Sequence, residues 1–316
     1  MVAGAGGNML VNKRLTTCLD PVAANMLVRG VSITLIVLVT TPLTVFHLWS
    51  LTYDMTWEAA GYVSLIAIVG WLVAQNAYYY ALRSGRVTVV APITSTNLLF
   101  TALFATILVG AVLGRLTLAG LVVAAAGIVF IARVDRRDKV VAEGLDAQPV
   151  LLPADETMAE PPGWAKSVPL VVLLSLASAA GWGLGPVLIQ LAQQSLGGTT
   201  VPMVLIAQGL GFLLLAGFVV LRRVPLATRE LTHAERRRAL RFVLIAGTFE
   251  GAFAILFYLI VENLGSVLTA MIVATTPIFA IVWSAVFLSE RLSRRLAFAI
   301  AITLLGVFLA IADRLL

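Results

Sequence analysis

From Leu264 to Ala312 the chain reads LGSVLTAMIVATTPIFAIVWSAVFLSERLSRRLAFAIAITLLGVFLAIA. An apolar stretch holding Pro277 leads to a short charged turn at Ser289, Glu290 and Arg291, and a second apolar stretch ends before Asp313 and Arg314. Each stretch can cross the hydrocarbon core of a bilayer, about 30 Å, which takes about 20 helical residues. A turn this short makes the two helices antiparallel neighbours. The whole chain is 60% hydrophobic and 12% charged, whereas a soluble domain carries about 25% charged residues. Such a chain has too little polar surface to cover a water-soluble globule. The apolar runs are continuous rather than alternating, so the spans are helices and not barrel strands. The expected fold class is all-α integral membrane protein.

Spans are expected at 22–46, 57–82, 86–110, 116–133, 167–194, 200–221, 241–261, 265–288 and 296–312. Residues 1–13 are too short to span and read as the remaining part of a first helix, giving nine full transmembrane helices plus a partial one. The polar segment 134–166, with Pro149, Pro153, Pro161 and Pro162, reads as a flexible connector. Sliding the first half forward by 179 positions without gaps lays Ala81–Arg133 on Ile260–Ala312. Gly127 then falls on Gly306, Tyr79 on Tyr258, Phe100 on Phe279 and Gly30 on Gly209. At nearly the same offset, Gly6-Gly7-Asn8-Met9 parallels Gly183-Leu184-Gly185-Pro186. The chain therefore divides into a first repeat at 1–133, a connector at 134–166 and a second repeat at 167–316. An odd number of spans per repeat turns the second copy upside down, and two inverted five-helix repeats around a midplane site are a recurring plan of secondary transporters.

The net charge of +6 does not point to nucleic acid, because the arginines sit in short loops as topology determinants do. With the N-terminal fragment counted as the first span, the even-numbered loops carry only Arg115. The other loop Lys and Arg, among them Lys13, Arg83, Arg223, Arg237 and Arg291, lie in odd-numbered loops. That distribution puts the odd loops and the connector in the cytoplasm, with both termini outside. Cys18 is the only cysteine, so no internal disulfide or thiolate cluster is available. His47 and His233 both fall in expected loops, which leaves no metal site and no Ser-His-Asp set inside the membrane. No Gly-Lys-Ser/Thr phosphate loop is present, so direct use of ATP is not expected, and neither is a cofactor or an enzymatic activity.

The second-half hairpin resembles the repeat of the drug/metabolite transporter superfamily, in particular the EamA-type ten-helix transporters. The carrying features are Pro277, the turn Ser289-Glu290-Arg291-Leu292-Ser293 and the late glycine Gly306. Tyr78-Tyr79-Tyr80-Ala81-Leu82 followed by Ser84-Gly85 is similar to the aromatic-rich end of the family's third helix. Three features depart from the family. Its turn glutamate is replaced by Ala111 in the first copy, the first helix is cut, and many members hold both termini in the cytoplasm, against the arginine distribution here. Either this branch is inverted or the loop rule fails in it.

Charges within spans cost about 2.5–3.5 kcal/mol on insertion scales, so each calls for a partner or a role. Arg29 has two readings: a side chain that snorkels to the surface, or a cation facing a central cavity. Its repeat partner is the polar Gln208. Glu250, flanked by Gly247 and Gly251, has the depth expected of a proton-coupling carboxylate or of a buried ion pair, and its repeat counterpart is Trp71. Gln75, Asn76, Tyr79 and Asn97 in the first half, with Trp182 and Tyr258 in the second, are further binding candidates, though polar stripes also serve as interhelical glue. Glu290, Pro277 and Gly306 read as structural or gating residues.

The expected function is secondary transport of a small organic metabolite or drug across the cytoplasmic (inner) membrane by alternating access, with proton or ion coupling at Glu250. Export is implied by the resemblance. The alternative is a non-transporting membrane scaffold or assembly subunit.

Overall fold

Backbone N–H and C=O groups find no water in hydrocarbon, so a chain that crosses it satisfies them internally as helix. The structure, a computed structural model, describes residues 2–45, 56–110, 114–144, 168–195, 200–273, 276–287 and 293–315, and among these there is no strand. The elements are α1 (Val2–Cys18), α2 (Pro21–Val45), α3 (Trp57–Leu65), a π-helical segment (Ile66–Ala74), α4 (Gln75–Ser84), α5 (Val87–Thr94) and α6 (Asn97–Val109). They continue as α7 (Arg115–Gly144), α8 (Val168–Ser195), α9 (Thr200–Leu221), α10 (His233–Val273), α11 (Thr276–Phe287) and α12 (Arg294–Leu315). Among the described residues, six helical stretches are long and apolar enough to cross a membrane: Pro21–Pro42, Trp57–Ser84, Val87–Val109, Val168–Ser195, Pro202–Leu221 and His233–Val267. Leu38, Ile107, Val122, Leu173, Leu213 and Val220 are exposed on the outside of the bundle, as lipid-facing side chains are. The protein is an all-α, multi-pass membrane protein.

Several boundaries differ from the sequence expectation, each for a local reason. The N-terminal helix runs past Lys13 to Cys18. α2 opens with Asp20 accepting a hydrogen bond from the Val22 amide at 2.9 Å, followed by Pro21 at the first helical position. The span expected at 86–110 is two helices, α5 and α6, parted at Ser95 and Thr96. α7 continues to Gly144, so the first part of the expected connector is helical. α10 starts well before the apolar run, at His233, which places His233 on a helix and not in a loop. A capping box starts it: Glu235 accepts from the Thr232 amide at 2.8 Å, and the Glu235 amide donates to Thr232 Oγ1 at 3.3 Å. α10 kinks at Gly265, whose φ of 77° is left-handed backbone that a side chain disfavours. Glu290, Ala111 and His47 lie outside the described residues.

α7 and α12 cross antiparallel, with Phe130 against Phe298 and Gly127 and Gly306 at the closest approach. A Cβ at Gly306 would sit 2.4 Å from Ala124 N, and one at Gly127 would sit 2.6 Å from Thr303 N. The loops after α1, α4 and α9 meet at one end of the bundle. There Asp20 donates to Leu226 O at 3.3 Å, Thr228 to Cys18 O at 3.3 Å, and Lys13 Nζ to Gly85 O at 2.7 Å. Leu296 of α12 and Val134 of α7 belong to the same core as Leu15, Leu19 and Leu82, so those helices share this basic end.

Candidate functional site

Pro92 lacks an amide hydrogen, and three hydroxyls after it take up backbone carbonyls of the same turn. Thr94 Oγ1 donates to Ala91 O at 3.0 Å, Ser95 Oγ to Pro92 O at 2.6 Å, and Thr96 Oγ1 to Ile93 O at 2.7 Å. The helix breaks there and resumes at Asn97. In the second half the 179-residue offset pairs Thr94 with Val273 and Asn97 with Thr276. All four line one cavity of about 200 Å³, together with residues of α1, the π segment, α4, α8 and α10. Its wall is aromatic. Tyr78 and Trp182 meet with their rings tilted by 53° and centroids 4.8 Å apart, and Phe253 and Phe257 lie nearly parallel at 5.6 Å.

Beside the cavity lies a charged cluster. Arg29 is fully buried, with no route to the surface. Its Nη2 meets Glu250 Oε1 at 2.6 Å, its Nη1 donates to Gln208 Oε1, and the Trp71 ring covers the guanidinium at 3.8 Å. Nine residues of π-helix, Ile66–Ala74, carry Trp71; such departures from α geometry occur most often at functional positions. Close approach of α9 leaves no room beside that ring, since a Cβ on Gly211 would lie 2.9 Å from Trp71 Cδ1. Asn25 Nδ2 donates to Trp71 O and to Asn76 Oδ1, both at 3.0 Å, and fixes the segment to α2. Burial of the ion pair is tolerable because charge, hydrogen bond and ring face are all supplied together.

Of the residues singled out in the sequence, Gln75, Asn97, Trp182, Glu250 and Tyr258 line the cavity. Arg29 and Gln208 lie behind it in the cluster, and Asn76 holds the π segment by donating to Leu72 O at 2.7 Å and accepting from Asn25. Tyr79 is buried and does not line the cavity, but its hydroxyl donates to the cavity residue Asn12, at Oδ1, at 3.2 Å. Gly306 belongs to the α7–α12 crossing, and Pro277 to the first turn of α11. The structure adds Trp71, Asn8, Asn12, Phe253 and Thr276 to the lining. Trp71 and Thr276 had a signal: each is the repeat counterpart of a candidate, Glu250 and Asn97. The phenylalanines had none that separates a cavity wall from a lipid-facing surface.

Several polar atoms at the cavity are buried without a partner: Asn8 Oδ1, Asn97 Oδ1, Tyr258 OH, Thr276 Oγ1, Trp71 Nε1 and Glu250 Oε2. Orphaned groups of this kind cost about 1–3 kcal/mol each when nothing bonds them. The cavity is thus an apolar box with scattered hydrogen-bonding groups, as small-molecule sites are. Among the described residues no group of three His, Cys, Asp or Glu side chains converges on a metal position.

No curated protein matches the chain. A solved structure described only as "Crystal structure of protein" is similar over 99% of this chain and 98% of its own, at 16% identity and a TM-score of 0.57, a likeness of fold. The model of the EamA-like transporter family matches residues 1–133 and 169–312. Those two segments carry the aromatic cavity and the Arg29 cluster, and the chain belongs to the EamA-like transporter family.

Proposed function

We propose that the protein is a secondary transporter that moves a small organic solute through this cavity by alternating access of two inverted halves, across the cytoplasmic membrane. Export is the direction in keeping with the resemblance. The observation that carries the proposal is the aromatic cavity that both halves line, bordered in the first half by the helix break at Ser95 and Thr96. Interrupted helices at membrane depth are tolerated where they line such a space.

Contacts across the bundle support the inverted halves. Arg29 bonds Gln208, its own counterpart at an offset of 179, and both Trp71 and its counterpart Glu250 pack on the same guanidinium. Gly127 abuts Thr303 while Gly306 abuts Ala124, again the same pairing read from either half. Gly6 abuts Phe279 as Gly183 abuts Phe100. A two-fold axis in the membrane plane brings counterparts together in this way. Glu250 is where we place coupling to a proton or ion, since its Oε2 remains without a partner.

Cysteine labelling in sealed vesicles tests the transport reading. In a Cys18→Ser background, Asn97→Cys is expected to react with a membrane-impermeant thiosulfonate from both faces. Arg237→Cys, at the basic end, marks the cytoplasmic face in the same assay. Reaction at Asn97→Cys from one face only, or from neither, favours a static bundle instead.

A further inference from the structure

Resting on the reading of the cavity as the solute site, we infer that the solute is an amine on a flat apolar body, and not a carboxylate or phosphate. Glu250 is the one charged side chain that lines the cavity among the described residues. Its Oε1 is committed to Arg29, but Oε2 has no partner. The nearest cation cannot serve an anionic solute. Arg29 does not line the cavity: Nη1 goes to Gln208 and Nη2 to Glu250, its Nε is buried without a partner, and the Trp71 ring, itself part of the cavity wall, lies across its face.

An acid entering this space would be stripped of water with no cation to meet it, a cost that grows steeply in a low-dielectric site. An ammonium gains on both counts. It donates a charge-assisted hydrogen bond to Glu250 Oε2, and ring faces attract cations. Those faces come from Trp71, Tyr78, Trp182, Phe253 and Phe257, which line the cavity with Glu250. The amides of Asn8 and Asn97 can turn to present either oxygen or nitrogen, so they bind neutral polar groups without selecting charge. The selection falls to Glu250.

Three compounds of one shape separate the contributions: 2-phenylethylamine, 2-phenylethanol and 3-phenylpropionate, titrated calorimetrically into the full-length protein in detergent. The amine is expected to bind at least about tenfold tighter than the acid, a difference of about 1.4 kcal/mol, with the alcohol between them. Glu250→Gln should erase the preference for the amine, so that amine and alcohol bind alike. Should Glu250→Gln fail to fold with Arg29 unpaired, Arg29→Gln combined with Glu250→Gln removes both charges and gives the same comparison. Equal or tighter binding of the acid, or an amine preference that survives loss of the carboxylate, overturns the inference while leaving the cavity as a solute site. Failure of all three compounds to bind rejects the cavity as a solute site, and the inference with it.

Discussion

A single buried arginine organises the centre of this protein. Its head group would cost about 2.5–3.5 kcal/mol in a bare span, and three side chains from three other helical segments offset that cost: Glu250, Gln208 and Trp71. Glu250 shares its two oxygens between structure and cavity, one on Arg29 and one free. The free oxygen is the position at which coupling is argued. With whichever phenyl compound binds, Glu250→Gln is expected to abolish uptake driven by a pH gradient into proteoliposomes, measured against empty liposomes, while solute exchange continues. Undiminished driven uptake would remove coupling from this residue.

At the scale of elements, small residues decide where helices meet, and irregular segments decide what they present. Gly120, Ala124, Gly127, Thr303 and Gly306 let α7 and α12 approach until backbone touches backbone, the arrangement that small residues allow between membrane helices. Gly306→Val and Gly127→Val should each lower stability by about 1–3 kcal/mol through overpacking. Gly7 and Gly217, where a Cβ meets nothing within 4 Å, supply neutral controls as Gly7→Ala and Gly217→Ala. Thermal unfolding in detergent measures all four, and a stable Gly306→Val would show that the crossing relaxes. The helix break at Ser95 and Thr96 and the π segment do the opposite task. They give up regular α-helical pairing to turn Asn97 and Trp71 toward the cavity.

At the scale of the whole molecule, the proposed two-fold axis passes by the Arg29 cluster, and this has a testable consequence. Exchanging counterparts across an axis restores the same neighbours: an arginine at 208 would meet Glu250 and Trp71 as the one at 29 does. Arg29→Gln alone leaves Glu250 buried without its cation, a loss of about 3–5 kcal/mol. Arg29→Gln together with Gln208→Arg is expected to recover most of that stability in thermal unfolding. A double variant no more stable than the single would count against the axis. The loops with Lys13, Arg83, Arg86, Arg222 and Arg229 gather at one end. By the loop rule that end is proposed to face the cytoplasm, which Arg237→Cys labelling tests.

Hydropathy and periodicity by themselves determined the class, a helical multi-pass membrane protein. They did so because the cost of placing backbone and charge in hydrocarbon is local and sums along a segment. The exceptions to that cost, Arg29 and Glu250, were also legible, as was their correspondence with Gln208 and Trp71. Tertiary structure decided what the exceptions meant. Whether Arg29 snorkels or pairs depends on what α9 and α10 bring beside it, from residues more than a hundred positions away. It also sent Tyr79 to Asn12, left Asn97 facing the cavity, and broke the span expected at 86–110. Polarity tells which side chains cannot face lipid, but the partner that satisfies each one is chosen only when the helices pack.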